Sequence, residues 1–221
     1  KTYPIPEPAV PTARNSLGTQ LSGPAGGAVW NTPTIDERRG ALYIGTGNNF
    51  APPATAHSDS LLALDLETGR IRWSRQVTAN DIWNGSCRLP TREPAVCPDK
   101  DAPDFDFTSS PILLPAGGGR DVIVVGNKSG LVLGIDPDAS GAVLWQRRIA
   151  KGSSSGGIFW GSASDGTSFY AASADHDERD PAASGGLFAL DVRTGTVTWH
   201  APGAGCEGRS PCKPSQAAAV T

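Results

Sequence analysis

Leu62-Ala-Leu-Asp-Leu-Glu-Thr-Gly-Arg-Ile-Arg-Trp73 is a sentence that this 221-residue chain writes three times. It returns as Leu133-Gly-Ile-Asp-Pro-Asp-Ala-Ser-Gly-Ala-Val-Leu-Trp145, with one extra turn residue, and as Phe188-Ala-Leu-Asp-Val-Arg-Thr-Gly-Thr-Val-Thr-Trp199. Each copy sets a small residue (Ala63, Gly134, Ala189) two places before an Asp (Asp65, Asp136, Asp191). A Gly (Gly69, Gly141, Gly195) follows, and then the closing Trp. Asp turns a chain by bonding its own nearby backbone, and Gly takes positive φ without steric cost. The flanking residues, as in Thr196-Val-Thr-Trp199, alternate with the period of two of a half-buried strand. Each copy therefore reads as a hairpin. Three unrelated hairpins would not share these positions, and repetition at tens of residues marks a propeller or a solenoid.

Working outward from the hairpin, each unit gains two upstream strands. The first unit has strands over 28–35 and 41–47 about the turn 36–40, with a loop over 48–58. The second has 107–114, a Gly-rich turn over 116–120, and 121–126. The third has 156–163 and 167–172 about Ser164-Asp-Gly166. Four strands make one propeller blade. The expected fold is all-β: a lead-in over 1–26, blades over about 27–77, 105–149 and 156–203, and the start of another over 215–221. Three blades and a stub leave unpaired edges and apolar faces, which natural proteins avoid. The remaining blades are therefore expected on the same or another chain.

Gly (27 residues) and Pro (19) suit a turn-rich β protein. A net charge of −3 removes the footprint of a nucleic-acid or membrane-surface binder. No apolar run approaches the roughly 18 residues of a membrane span. The chain has no Met, so it is expected to be a processed protein or part of a longer one. Its four Cys form two local pairs, Cys87 with Cys97 and Cys206 with Cys212, in polar loops rich in Pro and Gly. Two disulfides and a periplasmic or secreted location are expected. A four-Cys zinc site needs CxxC-like spacing, which neither pair has. Neither pair precedes the His of a haem-attachment motif, so any haem c belongs outside this stretch.

Gly27-Ala-Val-Trp30, Ile44-Gly-Thr-Gly-Asn48, Asn127-Lys-Ser-Gly130 and Gly157-Ile-Phe-Trp-Gly161 join the repeated hairpin in a resemblance. From Gly26 onward the chain resembles the alcohol dehydrogenases that depend on pyrroloquinoline quinone (PQQ), and among them the branch that oxidises polyvinyl alcohol. The resemblance implies an eight-bladed propeller with PQQ and calcium in its central funnel. It also implies an alcohol substrate, polymeric or secondary, and an electron acceptor such as a cytochrome.

The same resemblance carries roles to particular residues. Trp30 lies eighteen residues before Asn48, as the quinone-stacking Trp of the family lies before a calcium-ligand Asn. Indole offers the largest aromatic face for a flat quinone, and a turn amide suits a hard cation, with Asn49 as the neighbouring candidate. The family's catalytic Asp follows an aromatic residue. Trp83-Asn84 has the aromatic residue but an amide, whereas Phe105-Asp106 becomes the match if the Cys87–Cys97 loop is an insertion. Asp106 is then the base and a calcium ligand. Lys128 is expected on the quinone oxygens, and Trp160 either lines the funnel or packs a blade. The vicinal Cys pair and upstream calcium-ligand Glu of some family members are absent from this stretch. Two other readings stay open: a non-catalytic propeller scaffold holding partner proteins in the periplasm, and a polymer- or glycan-binding module.

Overall fold

A computed structural model describes residues 1–90, 93, 95–175, 185–203, 205–210 and 215–221 of the protein. It is built of β-strands, and its described residues contain no α-helix. Three four-stranded antiparallel sheets follow one another. The first contains β4 (Thr34–Asp36), β5 (Ala41–Gly45), β7 (Ser60–Asp65) and β8 (Ile71–Gln76). The second contains β9 (Ile112–Gly117), β10 (Arg120–Gly126), β11 (Leu131–Asp136) and β12 (Ala142–Arg148). The third contains β13 (Ala163–Ser164), β14 (Ser168–Ser173), β15 (Gly186–Asp191) and β16 (Val197–Pro202). Within each sheet the spatial order is the sequence order, which is a meander and the construction of a propeller blade.

The repeated sentence forms the last hairpin of each blade for the physical reason its residues suggest. The carboxylate of Asp65 accepts from Thr68 N at 2.8 Å, that of Asp136 from Asp138 N at 2.8 Å, and that of Asp191 from Thr194 N at 2.9 Å. Gly69, Gly141 and Gly195 close these turns at φ of 73°, 73° and 68°. Each Trp pairs across the hairpin with the small residue: Trp73 with Ala63, Trp145 with Gly134, Trp199 with Ala189. The Trp also reaches the next blade. A Cβ at Gly141 would lie 2.6 Å from the Trp73 ring, and one at Gly195 would lie 2.3 Å from the Trp145 ring. Arg75 Nε and Arg147 Nε donate to the carbonyls of Gly141 and Gly195 at 2.8 and 3.2 Å. The turn Gly thus has two duties, the positive φ of its own hairpin and the flat seat for a neighbour's indole.

The core lies between blades. Ile123, Val125, Leu133 and Ile135 face the first blade and pack with Tyr43, Leu61 and Phe107. Their neighbours Val122, Val124 and Val132 face the third and pack with Phe169, Leu190 and Ile158. The run Asp121–Gly126 is apolar on both faces because its strand is covered on both. Across the rim, Arg39 clamps three carboxylates, with Nη1 2.8 Å from both Asp36 and Asp121 and Nη2 2.7 Å from Asp138.

Several strands are shorter than the sequence suggests, and some lie elsewhere. The expected strand over 28–35 is confined to Thr34–Asp36, that over 107–114 starts at Ile112, and that over 156–163 shrinks to Ala163–Ser164. In each case the innermost stretch leaves the ladder and carries loop residues toward the blade's inner end. The expected lead-in contains a hairpin, β1 (Val10–Arg14) with β2 (Gln20–Gly23), turned by Asn15, whose side chain accepts from Thr19 N at 2.8 Å. A further short strand, β3 (Ala25–Gly26), pairs with β6 (Asn49–Ala51). Residues 215–221 form no strand. They lie along the third blade, with Val220 N donating to Gly161 O at 2.9 Å. Cys87 and Cys97 are bonded, with Cα atoms 4.9 Å apart. Cys206 is disulfide-bonded too, and Cys212 lies outside the described residues.

Candidate active site

Three short segments from the inner ends of blades one and two meet at one carboxylate. Asp106 is 2 % exposed, and its Oδ1 accepts from the backbone N of Asn48 at 2.8 Å. Its Oδ2 bonds the ammonium of Lys128, which also lies 3.2 Å from Asp104 Oδ1. The backbone ties the same pair together, Lys128 N donating to Asp106 O at 3.1 Å. Asp106 is therefore no solvated loop acid. The segment is aimed by Asp81, whose two carboxylate oxygens accept from Asp104 N at 3.2 Å and Phe105 N at 2.8 Å. Asp104 accordingly sits at φ 59°, a position that those bonds maintain for a non-glycine residue.

Trp30 enters from the side. Asn31, the next residue, anchors it by donating to Gly45 O at 3.0 Å and Phe107 O at 2.8 Å, while Gly45 N donates to its Oδ1. The indole itself is 54 % exposed, with the Lys128 ammonium 5.9 Å from its centroid. Gly47 fills the space between: a Cβ there would lie 2.4 Å from Asp106 Oδ1 and 3.2 Å from Trp30 Nε1. Glycine is required so that carboxylate and indole can approach. Asn48 commits its Nδ2 to Asn49 O at 2.9 Å and Trp83 O at 2.6 Å. No described residue donates to its Oδ1.

The remaining expected residues divide. Asn49 is structural: its Oδ1 accepts from Thr55 N at 2.9 Å. Asn84 caps the 3-10 turn Gly85–Arg88, accepting from Ser86 N at 3.0 Å, and it donates to the carbonyls of Phe50 and Val96. Trp160 is half-exposed and meets Phe159 edge-on at 5.0 Å. The ring from that stretch beside Lys128 is Phe159, 5.5 Å from the ammonium.

Sequence reading missed a buried acidic surround. Asp59 is fully buried, and both its carboxylate oxygens lack a partner among the described residues. Burial first, then the nearby carboxylates Asp81, Asp106 and Asp104, push it up to about 9, so Asp59 is the neutral acid at pH 7. Burial and the Asp106 charge push Asp104 up to about 7, against the pull of Lys128. Burial also raises Asp81, against its two backbone donors. Arg88 was missed as well: its guanidinium lies 4.8 Å over Trp83, donates to Ser154 Oγ at 2.8 Å and stands 3.8 Å from Asp104. The only sequence signal was the run Asp104-Phe-Asp106 itself.

This arrangement offers a held carboxylate that can accept a proton, a cation on its second oxygen and an aromatic face alongside. The amide oxygen of Asn48 and the Asp106 carboxylate are hard oxygen donors of the type calcium takes. Among the described residues no group of three His, Cys, Asp or Glu is spaced to hold a metal.

Comparison with known proteins finds relatives of the chain in sequence and in fold. Residues 6–89 match the PQQ family model described as the β-propeller domain of glucose, ethanol and alcohol dehydrogenases. A polyvinylalcohol dehydrogenase of a Pseudomonas species is 39 % identical over 213 residues, covering 96 % of this chain and 32 % of the relative. That of Sphingopyxis sp. is 38 % identical over 201 residues, covering 90 % and 31 %. The chain spans about a third of the length of these relatives. A solved quinohemoprotein alcohol dehydrogenase of Pseudomonas putida superposes with a TM-score of 0.55 at 19 % identity, over 80 % of this chain and 35 % of that one, which shows the propeller fold. The likeness to PQQ-type dehydrogenases is carried by the sequence, and the solved structure adds the propeller fold alone.

Proposed function

We propose that the chain is the part of a quinoprotein dehydrogenase that holds the catalytic base, and that its substrate is an alcohol, polymeric or secondary. The observation that carries this reading is Asp106, clamped between Asn48 N and Lys128 Nζ beside the exposed indole of Trp30. Asp106 takes the proton of the alcohol hydroxyl; its backbone donor and Lys128 hold the carboxylate in place. Trp30 offers its free face to a flat ring, and Gly47 leaves that approach open. Lys128, already shared between Asp104 and Asp106, supplies positive charge to an acceptor oxygen. Asn48 Oδ1 and Asp106 would hold a calcium ion. The quinone, when bound, supplies the two-electron acceptor that no side chain provides. The disulfide at Cys87–Cys97 supports a periplasmic or secreted setting, and a cytochrome-type acceptor and further blades complete the enzyme.

The test is an absorbance titration of the chain with PQQ, with and without calcium. Saturable binding at one site, weakened in Trp30→Ala and made calcium-independent in Asp106→Asn, is the expected result. Equal spectra for all three proteins would remove the dehydrogenase reading and leave the scaffold reading standing.

A further inference from the structure

Arg88 touches neither Asp106 nor Lys128, yet it meets the groups that hold them. Its guanidinium lies 4.8 Å over the Trp83 ring, donates to Ser154 Oγ at 2.8 Å and comes within 3.8 Å of Asp104 Oδ2. Trp83 belongs to the connector that leaves the first blade, Asp104 to the approach to the second, and Ser154 to the inner loop of the third. One side chain therefore reaches segments of three blades. The Ser154 loop is itself fixed to the site, with Ile158 N donating to Asn127 O at 3.1 Å and Thr108 Oγ1 donating to Phe159 O.

Arg88 is well anchored for an exposed residue. It ends the 3-10 turn Gly85–Arg88, which Asn84 caps and the Cys87–Cys97 bond ties down. A guanidinium already stacked on an indole and bonded at one Nη loses little further freedom on pairing. Asp104 is anchored too, because Asp81 accepts from its backbone N and from that of Phe105. Its two oxygens are divided between two cations: Oδ1 lies 3.2 Å from Lys128 Nζ, and Oδ2 lies 3.8 Å from Arg88 Nη2. Exposed ion pairs ordinarily contribute little. Here the carboxylate is only 6 % exposed, so water and salt screen the exchange between the two cations weakly. Lys128 has three N–H donors, and Asp104 and Asp106 take two of them. Where the third stands depends on how strongly each carboxylate draws the ammonium.

We infer that Arg88 is a positioning residue of this site. By holding Oδ2 of Asp104 it balances the draw of that carboxylate on Lys128, and it keeps the ammonium on Asp106 with one N–H left for an acceptor oxygen. The inference rests on the dehydrogenase reading only for the identity of that oxygen, which belongs to the quinone. Without Arg88, Asp104 turns wholly to Lys128 and draws the ammonium away from Asp106. The site is then disturbed although no group that meets substrate or quinone has been replaced.

A double-mutant cycle on the 221-residue chain tests this, with Arg88→Gln, Asp104→Asn and the two combined. Two quantities are read at pH 8: the side-chain ammonium resonance of Lys128 by NMR of nitrogen-labelled protein without quinone, and the affinity for PQQ by absorbance. In the parent, Arg88→Gln should move the Lys128 resonance and weaken PQQ binding roughly tenfold, with little change in thermal midpoint. In the Asp104→Asn background it should change neither. Ser154→Ala, which frees the far end of the guanidinium, should move the resonance in the same direction by less. An unmoved resonance in Arg88→Gln, the same movement with or without the Asp104 carboxylate, or equal PQQ affinity in parent and Arg88→Gln overturns the inference. Failure of the parent to bind PQQ would instead overturn the dehydrogenase reading, and the ammonium resonance would still decide the role of Arg88.

Discussion

Asp59 and Lys128 show how differently one buried charge can be handled within one site. The Asp59 carboxyl has no hydrogen-bond partner among the described residues, and burial pushes it up to about 9; the Lys128 ammonium is shared between two carboxylates. The folded-state value of about 9 for Asp59 stands above the usual 3.8, so its favourable contribution is complete below pH 3.8 and is lost as pH rises to about 9. Over that window the parent protein should lose up to about 1.4 kcal/mol per pH unit relative to Asp59→Asn, whose neutral amide has no proton to release. Urea midpoints at pH 5, 7 and 9 measure the difference, and parallel slopes for the two proteins would contradict it. Lys128→Met leaves Asp104 and Asp106 facing one another without the ammonium they share, with only the half-exposed Arg88 guanidinium 3.8 Å from Asp104. Removing one partner of a buried pair costs about 3–5 kcal/mol, and part of that should return at pH 5, where Asp104 takes a proton. An equal loss at pH 5 and pH 7 would show that packing, not charge, sets the cost. None of this was legible in the sequence beyond Asp106 and Lys128. Asp59 and Asp81 lie in unremarkable loop sequence and become special only by what surrounds them.

At the scale of elements, the hairpin was readable because its information is local. Asp bonds the backbone two or three residues on, Gly supplies positive φ, and the small residue makes room for the Trp across the strand pair. The contact of each Trp with the next blade was not local, yet repetition announced it. Trp145→Ala should therefore destabilise the chain by about 3 kcal/mol or more, by removing an aromatic side chain seated between two blades. Trp199→Ala, at a half-exposed ring in the last described blade, should cost far less. Thermal denaturation of the two variants checks the contrast, and equal losses would deny the inter-blade role. The inner strands were read too long for a related reason. Apolar residues such as Phe107 and Ile158 are as buried in a loop that plugs the gap between blades as they would be in a strand.

Across the whole molecule, the blades are joined by two apolar layers and by the Arg39 clamp. Its guanidinium, nearly buried, takes Asp36 from the first blade and Asp121 and Asp138 from the second. Burial raises Asp36, but hydrogen bonds from Arg39 and Tyr43 outweigh it and hold the carboxyl below its usual range. Arg39→Met should destabilise the chain by about 3 kcal/mol at pH 7, with the loss shrinking only as pH falls below the usual 3.8 of Asp36 and Asp138, toward their depressed folded values. Chemical denaturation from neutral pH to about pH 2 measures it, and a pH-independent loss would assign Arg39 a packing role alone.

The sequence by itself determined the blades. Their turns, alternation and small–large pairs act over a few residues, and three copies make the pattern visible above chance. It also marked Trp30, Asn48, Asp106 and Lys128, through short motifs at the ends of strands. Tertiary structure alone decided which of them meet. Asp106 and Lys128 join Asn48 because blades one and two lie side by side, while the third-blade ring beside Lys128 is Phe159 and not Trp160. The charge of each buried acid was decided there too. An ionisation state depends on the summed burial and fields of groups far apart in the chain, and no local pattern encodes that sum.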